Sequence, residues 1–254
     1  HRRNPDALIV ATGCYAERAA TEIGGIEGVG LVVGNRDKER LVEIVQAKTN
    51  GHESCRSGDI LKSSLFRTRA LVKIQEGCSQ PCSFCVVPRV RGREQSRPQE
   101  DVIAEVKARV AEGYKEVVLT GTRIGSYGQE GGLRALVECI LRESEVQRLR
   151  LSSLEPADLT PELLSLWRDR RLCPHIHLPL QSGSDSVLRR MGRVYSTADY
   201  ERAAALAREA IPNLSLTSDI MVGFPGEGEE EFGESYRFCE RMGFAAMHVF
   251  PYSA

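Results

Sequence analysis

Lysine is scarce in this chain, 6 against 28 arginines in 254 residues, and tryptophan occurs once. Charge of one sign is not in excess either: 34 basic and 35 acidic residues leave a formal net charge of −1. A chain-wide attraction to nucleic acid is thereby excluded, and any such contact has to come from a local patch. Arginine favours planar, bidentate contacts to phosphate, although a composition bias of the genome accounts for the same ratio. No apolar run approaches the roughly 18–20 residues that span a bilayer. The opening His1-Arg2-Arg3-Asn4-Pro5 is not followed by the apolar stretch of an export signal. Neither membrane insertion nor secretion is expected, and a cytoplasmic enzyme is. With 41% apolar and 27% charged residues, collagen-like, low-complexity and disordered classes also fall away.

Eight cysteines are present, yet the chain is far larger than the small disulfide-stapled domains, which favours a reducing compartment. Cys139, Cys173 and Cys239 stand in apolar surroundings and are expected to be buried structural thiols. Trp167, with Leu163, Leu164 and Leu166, reads as core.

The chain begins with strand-like runs at 7–11 and 30–33 and helix-like stretches at 15–22 and 37–47, the tail of a small α/β unit over 1–55. A polar, turn-rich segment follows, with a linker placed at 56–67. From 68 to 254 strands and helices alternate. Strands are expected near 70–75, 115–121, 147–153, 175–180, 214–222 and 245–251. Helices are expected near 98–112, 132–143, 161–168, 184–191, 197–210 and 229–242, with Pro98 at a first helical position and Gly113 and Gly243 as C-terminal stops. Six such units, without the first-strand glycine fingerprint of a dinucleotide fold, predict an α/β class with an open, partial (β/α)6 barrel. Its site would lie at the C-terminal strand ends. Polar and glycine residues concentrate there: Glu76-Gly77-Cys78, Thr120-Gly121-Thr122-Arg123, Ser152 to Pro156, Gln181 to Asp185 and Gly223 to Glu227.

The informative motif is Cys78-Ser-Gln-Pro-Cys82-Ser-Phe-Cys85, directly after the first barrel strand. Three thiolates on so short a loop suit three corners of a [4Fe–4S] cube, leaving one iron without a protein ligand. Zinc is the alternative, but a structural zinc site takes four ligands and no nearby His or Cys completes the set. Chance clustering of buried cysteines is weaker still, because Ser79, Gln80 and Ser83 flank them. Asp219 interrupts an apolar strand, where an unpaired carboxylate is costly, so a polar barrel interior is expected around it. Glu155 and Gln181 at strand ends are comparable candidates. His175 and His177 share one strand face, as substrate contacts or as satisfied interior histidines. Arg89, Arg91, Arg93 and Arg97 put four guanidiniums within nine residues beside the cysteine loop. They suit RNA phosphates, or form a solvated loop balanced by Glu100 and Asp101.

The C-x3-C-x2-C loop, with Phe84 before its last cysteine, resembles the radical S-adenosylmethionine superfamily. That likeness implies that Cys78, Cys82 and Cys85 hold the cluster and that its free iron chelates S-adenosylmethionine, cleaved by one electron to a 5′-deoxyadenosyl radical. Phe84, Gly121, Glu155, Gln181, Asp219 and Gly223 are the implied cofactor contacts. Thr12-Gly-Cys14-Tyr-Ala-Glu17, Lys73 to Cys78, Pro88 to Arg93, His177 to Asp185 and Asp219 to Glu227 narrow the resemblance to the methylthiotransferases. Leu119 to Gly128, Leu151 to Pro156 and His248 to Ser253 are most similar to the branch that acts on N6-threonylcarbamoyladenosine at tRNA position 37. The partners so implied are a tRNA anticodon loop and an electron donor such as flavodoxin or ferredoxin. Isopentenyladenosine and a ribosomal protein are the other family substrates, and a non-catalytic metal-bearing RNA-binding module is the reading of another class.

The family carries a second, auxiliary [4Fe–4S] cluster on three cysteines of its N-terminal domain. Only Cys14 matches those ligands, Cys55 does not, and the other two would lie before His1. The family's C-terminal β-rich RNA-binding domain would follow Ala254. Both ends are therefore expected to be trimmed.

Overall fold

The computed structural model describes residues 7–49, 68–128 and 131–253, and they divide between two units. The linker placed at 56–67, and Cys55, lie outside the described residues. The first unit holds the residues up to 49 with Gly77–Ser79 and Val86–Arg93. Ile9–Thr12 (β1) and Val29–Val33 (β2) pair in parallel, and Ala16, Ile23 and Val33 form a small buried core. The helix expected over 15–22 is broken into Cys14–Arg18 (α1) and Ala20–Gly24 (α2), because Ala19 takes the non-helical angles φ −134° and ψ 48°. The stretch expected at 37–47 opens as a tight 3-10 turn through Asn35–Arg40 and becomes regular only at Leu41–Lys48 (α3). Val87–Arg91 (α4) completes this unit.

The second unit holds the barrel. Its elements run Arg69–Glu76 (β3), Gln95–Ser96 (β4), Gln99–Ala111 (α5), Glu116–Gly121 (β5), Gly132–Glu143 (α6) and Arg148–Leu151 (β6). They continue with Pro161–Leu164 (α7), His175–His177 (β7), Asp185–Arg190 (α8), Thr197–Ala210 (α9), Ser215–Val222 (β8), Glu229–Met242 (α10) and Ala246–Pro251 (β9). The strands β3, β5 and β6 are parallel neighbours, as are β7, β8 and β9. Single parallel bridges, Ser153 to His177 and Leu149 to Leu172, join the two sheets. Six parallel strands thus follow chain order in one curled sheet, as expected. The two-residue β4, antiparallel to the end of β3, carries no signal in the sequence. Pro98 is the N-cap of α5 rather than its first residue, whereas Gly113 (φ +95°) and Gly243 (φ +55°) stand where the helices stop.

Alternation along the strands sorts the side chains. Ala70, Val72, Ile74, Val117, Leu119, Leu149, Leu151, Ile176, Leu216 and Ile220 are buried with the apolar faces of the helices in one large core. Removing each such valine, leucine or isoleucine side chain from water stabilises the fold by roughly 1.5–3 kcal/mol. Trp167 joins this core and its indole N–H donates to the Cys173 carbonyl at 2.8 Å. Cys173 is buried, and Cys139 and Cys239 pack against the core from half-buried positions. Among the described residues no helix is long and apolar enough to cross a membrane.

The opposite faces of the strands carry Arg69 and Lys73, Glu116 and Thr120, Arg148 and Arg150, His175 and His177, and Thr217 and Asp219. At the strands' beginnings the Glu116 carboxylate, 8% exposed, takes Arg69 at 3.0 Å, Arg148 at 3.0 Å and Arg150 at 2.7 Å. Burial alone would raise its pKa, but the guanidiniums of Arg150 and Arg148 outweigh that and hold it below the ordinary 4.5. One carboxylate therefore ties β3, β5 and β6 together. Glu116→Gln should cost about 2 kcal/mol at neutral pH, the worth of hydrogen bonds to a charged group. Because the folded-state pKa is depressed, that stability is present above the unfolded pKa and is lost as pH falls through the folded one. Urea unfolding at pH 7 and near pH 3 checks both the gap and its closing in acid.

Candidate cluster and cofactor site

The cysteine loop leaves β3 through Gly77, whose φ of +79° and packing exclude a side chain: a Cβ there would collide with the Arg93 carbonyl oxygen. Cys78 is buried and its amide donates to the Gly92 carbonyl at 3.0 Å. Farther along, the loop is held by the turn that follows α8. The Ser83 amide donates to the Met191 carbonyl at 2.9 Å, the Ser83 hydroxyl donates to the Arg190 carbonyl at 3.0 Å, and Gly192 (φ +72°) lies against Pro81. The Cys85 amide closes a turn onto the Cys82 carbonyl at 3.1 Å. None of the three cysteines is in a disulfide. Among the described residues no three His, Cys, Asp or Glu side chains stand close enough together to hold one metal ion.

Arg193, which the sequence did not single out, meets this loop from the α8 turn. Its Nη1 donates to Cys82 Sγ at 3.5 Å and to Glu155 Oε1 at 3.3 Å. The guanidinium lies 5.9 Å from the Phe84 ring centre and 5.4 Å from that of Tyr195. Phe84 in turn meets Phe224 edge-on, and Phe224 meets Tyr252. Glu155, at the end of β6, also pairs with Arg123 Nε at 2.9 Å, in a contact whose N–H does not point at the oxygen. The Gln80 side chain, in the loop itself, lies beside this pair, its amide oxygen accepting from Arg123 Nη1 at 3.1 Å in the orientation that satisfies both ends of the amide. Beside them the Arg123 amide donates to Gln75 Oε1 at 2.9 Å. Gly121 allows this close approach of β3 and β5, since a Cβ there would sit 2.9 Å from the Gln75 carbonyl oxygen.

Across the next strands runs a hydrogen-bonded row. The Ser153 hydroxyl meets His177 Nδ1 at 2.7 Å, and His177 Nε2 meets Asp219 Oδ1 at 3.2 Å. The interior expected around Asp219 is thus polar, and its partner is His177. Nearer the strand beginnings His175 Nε2 meets Thr217 Oγ1 at 3.2 Å. Burial, with the charge of Arg150 behind it, pushes the His175 pKa down to about 4, so this imidazole is neutral at pH 7. Gln181 is buried with φ +71°, a left-handed backbone that costs a non-glycine residue of order 1–3 kcal/mol. Its amide donates to the Asp219 carbonyl at 2.8 Å and its carbonyl accepts from Met221 at 2.9 Å. Gly223 (φ +71°) faces open space, while its amide and that of Phe224 donate to the Glu227 carboxylate.

Arg89, Arg91 and Arg93 are exposed. Arg97 is occupied: its Nη1 donates to the Lys73 carbonyl at 2.8 Å and pairs with Glu105 at 2.6 Å, fastening β3 to α5. Cys14 begins α1, where Arg91 Nε donates to its Sγ at 3.5 Å and Asn35 Nδ2 approaches at 3.7 Å. The hydrogen bond from Arg91 outweighs burial and lowers the Cys14 thiol below its ordinary pKa.

The donor set and its surroundings fit the implied groups. Three cysteines outside any disulfide, with no fourth on the loop, are the ligand complement of a cube with one open iron. Thr122 Oγ1, Ser152 Oγ, Gln181 Oε1 and Arg193 Nε are buried without partners. Each such atom costs roughly 1–3 kcal/mol unless a polar ligand satisfies it. The amino, carboxylate and hydroxyl groups of S-adenosylmethionine are ligands of that kind. The close packing of the loop makes Gly192 a sensitive position. Gly192→Ala places a Cβ 2.6 Å from the Pro81 carbonyl oxygen in a left-handed backbone. It should lose at least about 1 kcal/mol of stability and bind less iron on anaerobic reconstitution. Melting temperature and iron content check it.

Residues 72–239 match the Radical SAM superfamily. Over 268 residues the chain is 40% identical to the threonylcarbamoyladenosine tRNA methylthiotransferase MtaB of Bacillus subtilis (strain 168), covering 99% of this chain and 59% of that protein. It is 35% identical over 270 residues to the tRNA-2-methylthio-N(6)-dimethylallyladenosine synthase of Desulfosudis oleivorans, covering 99% and 58%. The chain therefore spans about three fifths of the length of these relatives. Among solved structures, the radical S-adenosylmethionine methyltransferase TsrM from Kitasatospora setae, with tryptophan substrate and a SAM analog bound, superposes with a TM-score of 0.75. That likeness covers 98% of this chain and 56% of that one at 19% identity, and it shows the shared fold. The superfamily match runs from the first barrel strand into α10, through the cysteine loop and all the strand ends before β9, and on it the chain belongs to the radical SAM superfamily.

Proposed function

We propose that the chain is the catalytic core of a transferase that inserts a methylthio group at C2 of N6-threonylcarbamoyladenosine at position 37 of tRNA. The observation that carries this reading is the 35–40% identity, over 99–100% of this chain, to four proteins named threonylcarbamoyladenosine tRNA methylthiotransferase. A second reading takes dimethylallyladenosine as the nucleoside. It is favoured by the 35–38% identity to proteins named tRNA-2-methylthio-N(6)-dimethylallyladenosine synthase.

In this reading Cys78, Cys82 and Cys85 hold a [4Fe–4S] cluster. When bound, the cluster supplies the electron that cleaves S-adenosylmethionine to the radical that removes a hydrogen atom from the nucleoside. Glu155, oriented by Arg123 and Arg193, receives the amino group of S-adenosylmethionine. Gln181, Asp219 and the Gly121 and Gly223 turns bind the rest of it, with Phe84 beside the loop. Arg89, Arg91 and Arg93 meet anticodon-loop phosphates, and Arg97 acts by fastening the strand below them. Cys14 is one ligand of an auxiliary cluster. The protein works in the cytoplasm with a flavodoxin- or ferredoxin-like donor.

The test is isotopic. Reduced, cluster-loaded protein given tRNA deuterated at C2 of N6-threonylcarbamoyladenosine should move deuterium into 5′-deoxyadenosine, and Cys82→Ala should make no 5′-deoxyadenosine at all. Transfer only from dimethylallyladenosine would replace the first reading with the second. For the RNA surface, the triple variant Arg89→Ala, Arg91→Ala, Arg93→Ala should bind tRNA more weakly. Its log–log salt slope should be shallower by roughly 0.7–0.9 per phosphate contact removed, as measured by titrations at several salt concentrations. An unchanged slope returns these arginines to a solvated loop.

A further inference from the structure

We infer that Arg193 is a positioning residue that raises the reduction potential of the cluster through the Cys82 thiolate, an inference that rests on the cluster assignment above. The side chain is 10% exposed, and its Nη1 stands 3.5 Å from Cys82 Sγ. It is fixed from several sides: by the rings of Phe84 and Tyr195, by Glu155, and by the glycine before it, pressed against Pro81. The second half of the cysteine loop and the turn that bears Arg193 are tied as one body by the Ser83 amide on the Met191 carbonyl. The guanidinium therefore cannot drift from the sulfur without the loop coming apart.

The electrostatics give the sign. A [4Fe–4S]2+ cube with three thiolates carries a net charge of −1, and one electron from a low-potential one-electron donor takes it to −2. No bond of the protein forms or breaks. A cation beside a ligand sulfur favours the more negative state, and hydrogen bonds to the sulfurs act in the same direction. Glu155 does not cancel this in full, because it is shared with Arg123, and of these three groups only Arg193 donates to the sulfur. Burial keeps water from screening the interaction. Arginine stays protonated at any working pH, so the contribution is constant.

Redox titration of the anaerobically reconstituted protein, without S-adenosylmethionine and followed by electron paramagnetic resonance, reads the effect directly. Arg193→Met should move the midpoint potential negative by about a tenfold loss in the equilibrium for reduction, 59 mV for a one-electron couple. Arg193→Lys keeps the charge and should stay within about threefold of the parent protein. Glu155→Gln removes the opposing charge and should move the potential the other way. An Arg193→Met protein with full iron content and an unshifted or more positive potential overturns the inference. Should that variant hold no cluster, Glu155→Gln decides, and an unshifted or more negative potential there overturns it as well. Failure of the parent protein to assemble four irons would instead remove the cluster assignment itself.

Discussion

The parallel barrel strands from β3 to β8 must each bury one set of alternate side chains under the helices, and the other set lies on the opposite, concave face of the curled sheet. Side chains on the covered face are almost wholly apolar. Where a polar residue intrudes it is satisfied at once: the buried Ser218 hydroxyl donates to the Leu178 carbonyl at 2.9 Å and accepts from the Leu180 amide at 3.0 Å. On the concave face the constraint is reversed, and a polar group costs little if it finds a partner or a ligand. This explains why His177 and Asp219 occur within strands whose covered face carries Ile176, Leu216 and Ile220. The unpartnered polar atoms of Thr122, Ser152 and Gln181 lie past the C-terminal strand ends, and that of His175 at a strand beginning.

Backbone conformation does the rest of the positioning. Gly77, at the start of the cysteine loop, and Gly192, against Pro81, each have a positive φ with a carbonyl where a Cβ would be. Gln181 takes the same left-handed region without being glycine, so its side chain has to be worth the strain. The reason is visible in its neighbours. Its backbone is clamped by Asp219 and Met221, and its Oε1 is buried without a hydrogen-bond partner.

Much of this was legible in the sequence, because the barrel is built from local periodicities and the cysteine loop is a local spacing. Strand and helix places fell near their observed positions wherever a period of two or 3.6 could be counted. The break at Ala19 and the two-residue β4 have no such period, and neither was foreseen. Long-range pairings were illegible in principle. Arg193 meets Cys82 across 111 positions of chain, and Asp219 meets His177 across 42. Arg97 looked like part of a basic patch because Glu105, its partner, lies a helix turn beyond the window in which the patch was read.

A chain with a net charge of −1 nevertheless concentrates cation on this concave face. At the strand beginnings three arginines share Glu116, and at the strand ends two share Glu155. In both places one carboxylate fixes the guanidiniums in register while being outnumbered by them. An anionic cluster, the carboxylate of S-adenosylmethionine and the phosphates of a nucleotide all carry the complementary sign. The carboxylates are therefore not there to neutralise the arginines. They hold them in place across the neighbouring strands.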